Sequence, residues 1–349
     1  MAHAADRAGR AVTGGAPASR TLVVAPNWLG DAVMAIPFFR ALCAARPPRS
    51  VAALAPRGPA ALLRAVPGVE VIPRGGSLAA DALALRRRGF DEAWLLPNSF
   101  RAAAVAWLSG AQRRIGYATD RRSALLTDAV PRPLPTGHQL RDYDRLLLSR
   151  GVEPDRDPPR LPVPEAAQAR ADAALAVAGL AAGPTSRLVL LAPGAAFAWT
   201  KRWPPQRWGA LAARLAKSGV SPALVIGPGE EPLAAEAVAA SGLSALPVLG
   251  ADLDPLELAG LLARARVVAA NDSGPMHLAA AAGTPVVAIF GPTDPGRTAP
   301  SGAPFRALDR YVFCSPCFLK DCPYRHECMT GIHPETVAAA IEELFSASA

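Results

Sequence analysis

The feature that most constrains this chain is a unit of apolar strand, loop and helix that recurs along both halves of the sequence. Strands that alternate with helices favour a parallel sheet covered by helices on both faces. The predicted fold class is therefore α/β, with two Rossmann-like domains in tandem and a cleft between them. The strands are predicted at Thr21–Ala25, Ser50–Leu54, Val69–Ile72, Glu92–Leu96, Leu188–Leu191, Ala223–Ile226, Val267–Ala270 and Pro285–Phe290.

The length of 349 residues also favours two domains, at roughly 150 residues per domain. A proline-rich and charged stretch at Glu153–Arg160, followed by a short alanine-rich helix, predicts a linker within 151–184. The predicted domains span 21–165 and 185–332, and a closing helix occupies 333–349. Residues 1–20 are rich in Ala, Gly and Arg and lack the apolar centre of a signal peptide, so we interpret them as a disordered tail.

The charge balance narrows the choice of partner. A net charge of +8 and a pI of about 9.8 favour binding to an anionic partner such as a nucleic acid, a phosphosugar or an acidic membrane face. The alternative is that the basic surface is simply solvated. Nucleic acid is disfavoured, because no basic stripe interleaved with aromatic residues and no zinc-finger spacing occurs. No apolar run approaches the roughly 18 residues of a membrane span. We expect a cytoplasmic protein that touches a membrane at most peripherally.

A strand-to-helix turn in the second half, Asn271-Asp272-Ser273-Gly274, has two interpretations. Asp272 or Ser273 could simply cap the helix. Alternatively, the free N–H groups and the positive helix end form a seat for a diphosphate, with Gly274 allowing close approach and His277 one turn further in.

Two further loops in the second half carry charges at strand ends. Lys201 and Arg202 stand between tryptophans, where they suit either a pyrophosphate or an ordinary surface loop. Glu230 and Glu231 follow another strand, where a carboxylate could accept hydrogen bonds from a ribose or mark an exposed turn. The glycines near them do not complete the dinucleotide motif G-x-G-x-x-G, which weakens an oxidoreductase interpretation.

Asp31 lies at the first strand-to-helix turn of the first half. An acidic residue there is often a group that stabilises the helix N-terminus. The alternative is a general base at the cleft, which contributes on the order of 10²–10⁴ in rate.

Four cysteines cluster near the C-terminal end as Cys314-x₂-Cys317-x₄-Cys322-x₅-Cys328. Because disulfides are disfavoured in a reducing compartment, such thiols are candidates to bind zinc or an iron–sulfur centre. Their spacing is not that of a standard zinc ribbon. A reduced, packed cluster is the alternative. Cys43 stands alone on a predicted helix and is expected in the core.

Taken together, several segments resemble the ADP-heptose:lipopolysaccharide heptosyltransferases of glycosyltransferase family 9, most closely the heptosyltransferase II branch. The order and spacing of these segments, from about Leu22 to Leu344, carry the resemblance. They are Pro26–Asp31, Leu95–Phe100, Pro193–Ala195 with Lys201–Pro204, Asn271–His277 and Phe290–Asp294.

The resemblance implies a GT-B fold with the acceptor in the first domain and the nucleotide-sugar in the second. It implies inverting transfer of heptose from ADP-heptose to the heptose/Kdo inner core of lipopolysaccharide, at the cytoplasmic face of the inner membrane, with no metal required for the chemistry. Asp31 matches the catalytic base. The implied donor-binding residues are Lys201, Glu231 (or its neighbour Glu230), Asp272, Ser273, Gly274 and His277. The candidate acceptor-binding residues are Asn98, Ser99 and Arg101. Arg101, Arg113 and Arg121 could meet the phosphates and Kdo carboxylates of the acceptor, or be ordinary surface charges.

Three alternatives stay open at this point. A related transferase could use another nucleotide-heptose or another surface glycan. A nucleotide-sugar epimerase would turn over the donor alone. A non-catalytic nucleotide-binding protein would tolerate loss of the Asp31 carboxylate.

Overall fold

The structure is a computed structural model that describes residues 19–46, 48–181 and 186–347. It contains two six-stranded sheets in which every pair of neighbouring strands is parallel. Residues 1–18 of the predicted tail lie outside the described residues. Its last two residues, Ser19 and Arg20, belong to the first strand.

The first half forms a sheet of order β3-β2-β1-β4-β5-β6. Its strands are β1 Ser19–Val24, β2 Arg49–Ala55, β3 Val69–Pro73, β4 Glu92–Leu95, β5 Arg113–Tyr117 and β6 Asp128–Val130. Its helices are α1 Leu29–Met34, α2 Ile36–Ala44, α3 Arg57–Leu63, α4 Leu78–Arg86, α5 Phe100–Leu108 and α6 Leu140–Leu148.

The second half repeats this order, read from the opposite edge as β9-β8-β7-β10-β11-β12. Its strands are β7 Leu188–Ala192, β8 Ser221–Val225, β9 Val248–Leu249, β10 Val267–Asn271, β11 Val286–Phe290 and β12 Phe305–Asp309. The helices from the connection onwards are α7 Glu165–Val177, α8 Pro205–Lys217, α9 Glu231–Ser241, α10 Pro255–Leu262, α11 Gly274–Ala281, α12 Pro295–Thr298, α13 Glu327–Thr330 and α14 Pro334–Ala347.

All eight strands predicted from the sequence are present, and four others were not predicted. Three of the missed strands, β6, β9 and β12, lie at sheet edges, and the fourth, β5, begins with two arginines. Such strands lack the continuous apolar run of a strand buried on both faces. The helical stretch after β1 is divided into α1 and α2, which meet at Ala35, because Pro37 has no N–H to continue the first helix.

In the first sheet β1 lies beside β4, and in the second sheet β7 lies beside β10. The chain continues from the two strands of each pair toward opposite edges of the sheet. This arrangement opens a crevice at the carboxyl ends of the strands, where ligands bind in open α/β sheets. The loops after these four strands carry most of the predicted site residues.

The two halves pack directly against each other. One buried apolar cluster continues from the first sheet into the second, and α1 contacts α11. The connecting helix α7 lies against α10 so closely that a Cβ at Gly260 would stand 2.9 Å from the Ala167 carbonyl oxygen. No helix among the described residues combines the length and hydrophobicity needed to cross a bilayer.

Candidate functional site

The N-termini of α1 and α11 meet across the cleft. A Cβ added at Gly30 would stand 2.6 Å from His277 Cδ2, and one at Gly274 would stand 3.2 Å from Leu29 Cδ2. A side chain at Gly30 would therefore force the two helix ends or the His277 ring to move, whereas one at Gly274 would require only a small adjustment of Leu29. The junction brings Asp31 of the first half to the same place as the phosphate-seat motif of the second half.

Asp31 occupies the first turn of α1. Gln139 Nε2 donates a hydrogen bond to Asp31 Oδ1 at 3.0 Å and lies 3.2 Å from the hydroxyl of Tyr143. Burial raises the pKa of Asp31, and the Gln139 hydrogen bond and the charge of Lys201 only partly oppose that effect. A carboxylate with a raised pKa holds a proton more readily, which suits a general base.

Lys201 faces the same cleft from the second half. It ends a short 3₁₀ helix, Trp199–Lys201, and its Nζ lies 2.7 Å from Asp272 Oδ2. Its side chain is 14% exposed and that of Asp272 is 4% exposed, so the ion pair is largely desolvated. We call residues 197–203 the lysine loop. Phe197 of this loop meets Trp28 of the first half edge to face, with centroids 6.1 Å apart.

The start of α11 has no side-chain cap. Ser273 occupies the N-cap position, but its Oγ is buried and makes no hydrogen bond within the described part of the chain. The capping interpretation of Ser273 is therefore wrong. Asn271 is fully buried and has a structural role, because its amide donates to the Pro193 carbonyl at 2.7 Å and accepts from the Trp203 N–H at 3.1 Å.

His277 lies one turn inside α11 and is 5% exposed. Burial lowers its pKa to about 4, so the imidazole is neutral at neutral pH. Its ring packs on Gly30 at the junction of the halves. In this position it supports the contact between the two helix ends as well as the loop before it.

The two glutamates after β8 point in different directions. The Glu230 carboxylate accepts from the Gly227 N–H at 2.9 Å and fills the space beside Gly194, where a Cβ would stand 2.1 Å from its oxygens. Glu231 is exposed and accepts from the Gly229 N–H at 3.3 Å. Glu230 is therefore the carboxylate at the carboxyl end of β7, and Glu231 belongs to the first turn of α9.

A cleft pocket of about 280 Å³ lies on the first-half side of Asp31. Asn98 and Ser99, two of the residues predicted to bind the acceptor, line this pocket, and Ser99 also caps α5. Arg101 does not line it and instead pairs with Asp81 at 3.1 Å in a neighbouring small pocket. The pocket also contains Trp28, Gln139, Tyr143, Arg132 and Arg297, of which the last two are cationic.

The other two arginine candidates have different surroundings. Arg113 begins β5, at the amino end of the strands and thus at the edge opposite the cleft. Arg121 is exposed on a turn with positive φ. The next residue, Arg122, is instead 0% exposed and donates to three main-chain carbonyls in the loops after β4 and β5. Its role is therefore to fix those two loops.

Sequence reasoning missed Gln139 and Arg297. Gln139 stands alone in an irregular stretch, and no periodicity or motif marks it. Arg297 follows the quoted segment Phe290–Asp294 by three residues and pairs with Asp142 of α6 at 2.7 Å, across the two halves. Its position beside a recognised motif was the one available signal.

The four clustered cysteines line one small cavity of about 20 Å³, beside His326 and Thr200. All five cysteines of the chain are free thiols. Burial and the neighbouring three thiols raise the pKa of Cys328 to about 11. Among the described residues, however, no three His, Cys, Asp or Glu side chains are arranged to hold a metal ion.

Known proteins resemble the chain over most of its length. The family model described as glycosyltransferase family 9 (heptosyltransferase) matches residues 80–327. Lipopolysaccharide heptosyltransferase 2 of Salmonella typhimurium is 30% identical over 301 residues, which are 80% of this chain and 85% of that protein.

Solved structures agree. The Escherichia coli ADP-heptose LPS heptosyltransferase II superposes with a TM-score of 0.79 at 27% identity, covering 94% of this chain and 99% of that one. The two parallel sheets thus have the GT-B arrangement. TibC, described as a dodecameric iron-containing heptosyltransferase, shares the fold with a TM-score of 0.59 at 16% identity, covering 95% of this chain and 77% of that one.

Proposed function

The chain belongs to glycosyltransferase family 9, the heptosyltransferase family, and from this premise we propose that it transfers heptose from ADP-heptose to the heptose/Kdo inner core of lipopolysaccharide. The observation that carries the proposal is the meeting of Asp31 with the Lys201–Asp272 pair and the uncapped α11 N-terminus at one junction. Direct transfer requires the base that activates the acceptor and the diphosphate seat to face the same cleft.

The second half would hold the donor. Lys201 and the N–H groups at the start of α11 would bind the diphosphate. Rotation of the Ser273 side chain, whose buried Oγ has no hydrogen-bond partner among the described residues, would let its hydroxyl donate as well. Asp272 would keep the Lys201 ammonium in place. Glu230 is the better candidate for the ribose, because its carboxylate lies beside Gly194 at the end of β7, whereas Glu231 faces solvent.

The chemistry is a single inverting displacement. Asp31 removes the proton of an acceptor hydroxyl, and that oxygen attacks the anomeric carbon of the heptose from the face opposite the diphosphate. The bond from the anomeric carbon to the diphosphate oxygen breaks, and its electron pair stays with ADP. Lys201 and the helix end stabilise that growing negative charge in a site from which water is largely excluded. No step needs a metal.

The first half would hold the acceptor in the pocket beside Asp31. Asn98 and Ser99 offer hydrogen bonds to sugar hydroxyls, and Arg132 offers positive charge to the carboxylates of Kdo or to phosphates, whereas the charge of Arg297 is already paired with Asp142. Arg101 would act only at the rim, since it pairs with Asp81. A lipid-linked acceptor would bring the enzyme to the cytoplasmic face of the inner membrane by peripheral contact.

The cysteine cluster offers the thiol ligands that structural zinc and iron centres use, although the described side chains are not arranged to hold an ion as they stand. Four thiols line a cavity of about 20 Å³. The ligands of a bound zinc or iron centre would be Cys314, Cys317, Cys322 and Cys328. Such a metal would stabilise the fold and take no part in sugar transfer.

The test is a transfer assay with purified protein, ADP-heptose and core acceptors of defined structure, read by mass spectrometry. We expect a gain of one heptose on a Kdo–heptose acceptor and none on a Kdo-only acceptor. Gain on the Kdo-only acceptor alone would reassign the acceptor within the family. A folded protein that binds ADP but transfers heptose to neither acceptor would refute the proposal.

The matched variant is Asp31→Asn, which keeps the shape and the Gln139 contact. Turnover is expected to fall by about 10²- to 10⁴-fold, while the dissociation constant of ADP stays unchanged. An Asp31→Asn enzyme with normal turnover would exclude this aspartate as the base.

A further inference from the structure

The cysteine-rich segment, residues 313–328, lies directly behind the lysine loop. It follows β12 and has no regular helix or strand until α13 begins at Glu327. Its base is fixed to the end of β11, where the N–H groups of Cys317 and Phe318 donate to the Pro292 carbonyl at 3.0 and 2.8 Å. Ser315 Oγ donates to the Gly291 carbonyl at 2.6 Å. The segment is thus anchored independently of the lysine loop.

Two hydrogen bonds join the segment to Thr200, the residue before Lys201. Thr200 Oγ1 donates to the Leu319 carbonyl at 2.7 Å, and His326 Nε2 donates to the Thr200 carbonyl at 2.6 Å. Thr200 is 2% exposed. Loss of either partner would leave a buried polar group unpaired.

The cysteine-rich segment also contacts two other residues of the lysine loop, Trp199 and Phe197. Trp199 Nε1 donates to Asp321 Oδ1 at 3.0 Å, and its ring packs edge to face on His326 with centroids 5.0 Å apart. Lys320 lies over the Phe197 ring at 5.0 Å. A three-residue 3₁₀ helix has few internal hydrogen bonds, so these contacts determine where Thr200, and therefore Lys201, stands.

We propose that Thr200 and His326 are positioning residues for Lys201, through which the cysteine-rich segment holds the lysine loop in register with the diphosphate seat. This inference rests on the donor role proposed for Lys201. An ammonium fixed before the reaction needs no reorganisation when charge develops on the leaving group. The packing of the four thiols then reaches the donor site through the Leu319 and His326 contacts.

The experiment measures ADP binding by calorimetry and steady-state kinetics in matched threonine variants of the full chain. Thr200→Val removes the hydroxyl at constant shape and Thr200→Ser restores it. The control is Thr284→Val, because Thr284 is also buried in the second half and its Oγ1 donates to the Leu262 carbonyl at 3.0 Å. His326→Phe provides a second variant, which keeps a ring against Trp199 but cannot donate.

We expect Thr200→Val and His326→Phe to weaken ADP binding about 3- to 10-fold, as one lost hydrogen bond predicts. They should also lower kcat and leave the KM for the acceptor unchanged. Thr200→Ser should bind ADP like the parent, and Thr284→Val should change stability alone.

Unchanged ADP affinity in both folded variants, or equal weakening in Thr284→Val, would overturn the positioning role. Lys201→Ala separates this failure from failure of the proposed function. If Lys201→Ala weakens ADP binding and Thr200→Val does not, only the positioning inference fails. If Lys201→Ala leaves ADP binding intact, the donor role of Lys201 itself is wrong.

Discussion

The side-chain amide of Gln139 donates to Asp31 Oδ1 at 3.0 Å, although the two residues stand 108 positions apart in the chain. The same residue also crosses to the second half, where its main-chain N–H donates to the Arg297 carbonyl at 3.0 Å. Gln139 therefore links the orientation of the proposed base to the contact between the two halves.

This contact predicts a pH effect for Gln139→Leu. The hydrogen bond lowers the pKa of Asp31 against the larger effect of burial, so its loss should raise that pKa further. The base acts when deprotonated, and the acid limb of kcat/KM against pH should therefore move to higher pH. Gln206→Leu is the control, since Gln206 is exposed and its side chain contacts the exposed Glu236. An acid limb that stays in place in Gln139→Leu would contradict the assignment.

Ionisation of Asp31 should also lower the free energy of unfolding at neutral pH. Its pKa is raised in the folded state, so the folded protein binds this proton more tightly than the unfolded chain does. The free energy of unfolding should therefore fall as pH rises from the ordinary value of 3.8 through the raised pKa. Asp31→Asn should remove this loss and be more stable than the parent at pH 7, and equally stable near pH 3. Urea unfolding at the two pH values measures this, and a destabilised Asp31→Asn at pH 7 would count against it.

The approach of α1 to α11 depends on Gly30. The Cβ of Gly30→Ala would stand 2.6 Å from His277 Cδ2, so we expect a loss of about 1–3 kcal/mol in the free energy of unfolding and reduced turnover. Gly58→Ala is the control, because Gly58 lies in α3 with nothing within 4 Å of the added Cβ. That variant should be neutral or more stable by up to about 1 kcal/mol. Adding His277→Ala to Gly30→Ala should recover part of the lost stability. Equal stability of Gly30→Ala and the control Gly58→Ala would disprove the close packing.

Substitution of the two neighbouring glutamates should have different effects on ADP binding. Glu230→Gln should weaken ADP binding by about 10- to 100-fold, the effect of losing a charged hydrogen bond to ribose, and should leave pyrophosphate binding unchanged. Glu231→Gln should bind ADP like the parent, because its carboxylate is exposed and contacts Gly229. Calorimetric titration with both ligands tests this. A larger effect of Glu231→Gln would restore the assignment to Glu231.

The thiol cavity predicts bound metal in protein purified without chelators. Elemental analysis should find about one zinc per chain or a stoichiometric iron centre, and Cys322→Ser should lose it together with several kcal/mol of stability. Cys43→Ser is the control, because Cys43 is a free thiol outside the cluster. Metal-free protein with Cys322→Ser and Cys43→Ser equally stable would leave the cluster as packed, reduced thiols.

The sequence by itself determined the two parallel sheets and most loops of the site. Strand and helix periodicities are local, and in a parallel sheet every strand-to-helix turn falls at the same edge. The order of the elements alone therefore places Asp31, Lys201 and Ser273 near a cleft. The same local patterns identify the cysteine cluster and the glycines at the strand ends.

Only the tertiary structure decided which of these residues meet. Gln139 reaches the site from the turn before α6 and Arg297 from the short helix α12, and both contact residues more than 100 positions away. No local pattern encodes such a contact. The proposal of Glu230 rather than Glu231 for the ribose depends on the side-chain direction at one turn. The lack of a hydrogen-bond partner for the Ser273 hydroxyl within the described chain depends on the conformation of one N-cap. The physical reason is that periodicity fixes which face of an element is buried, whereas single polar contacts depend on how the two halves pack together.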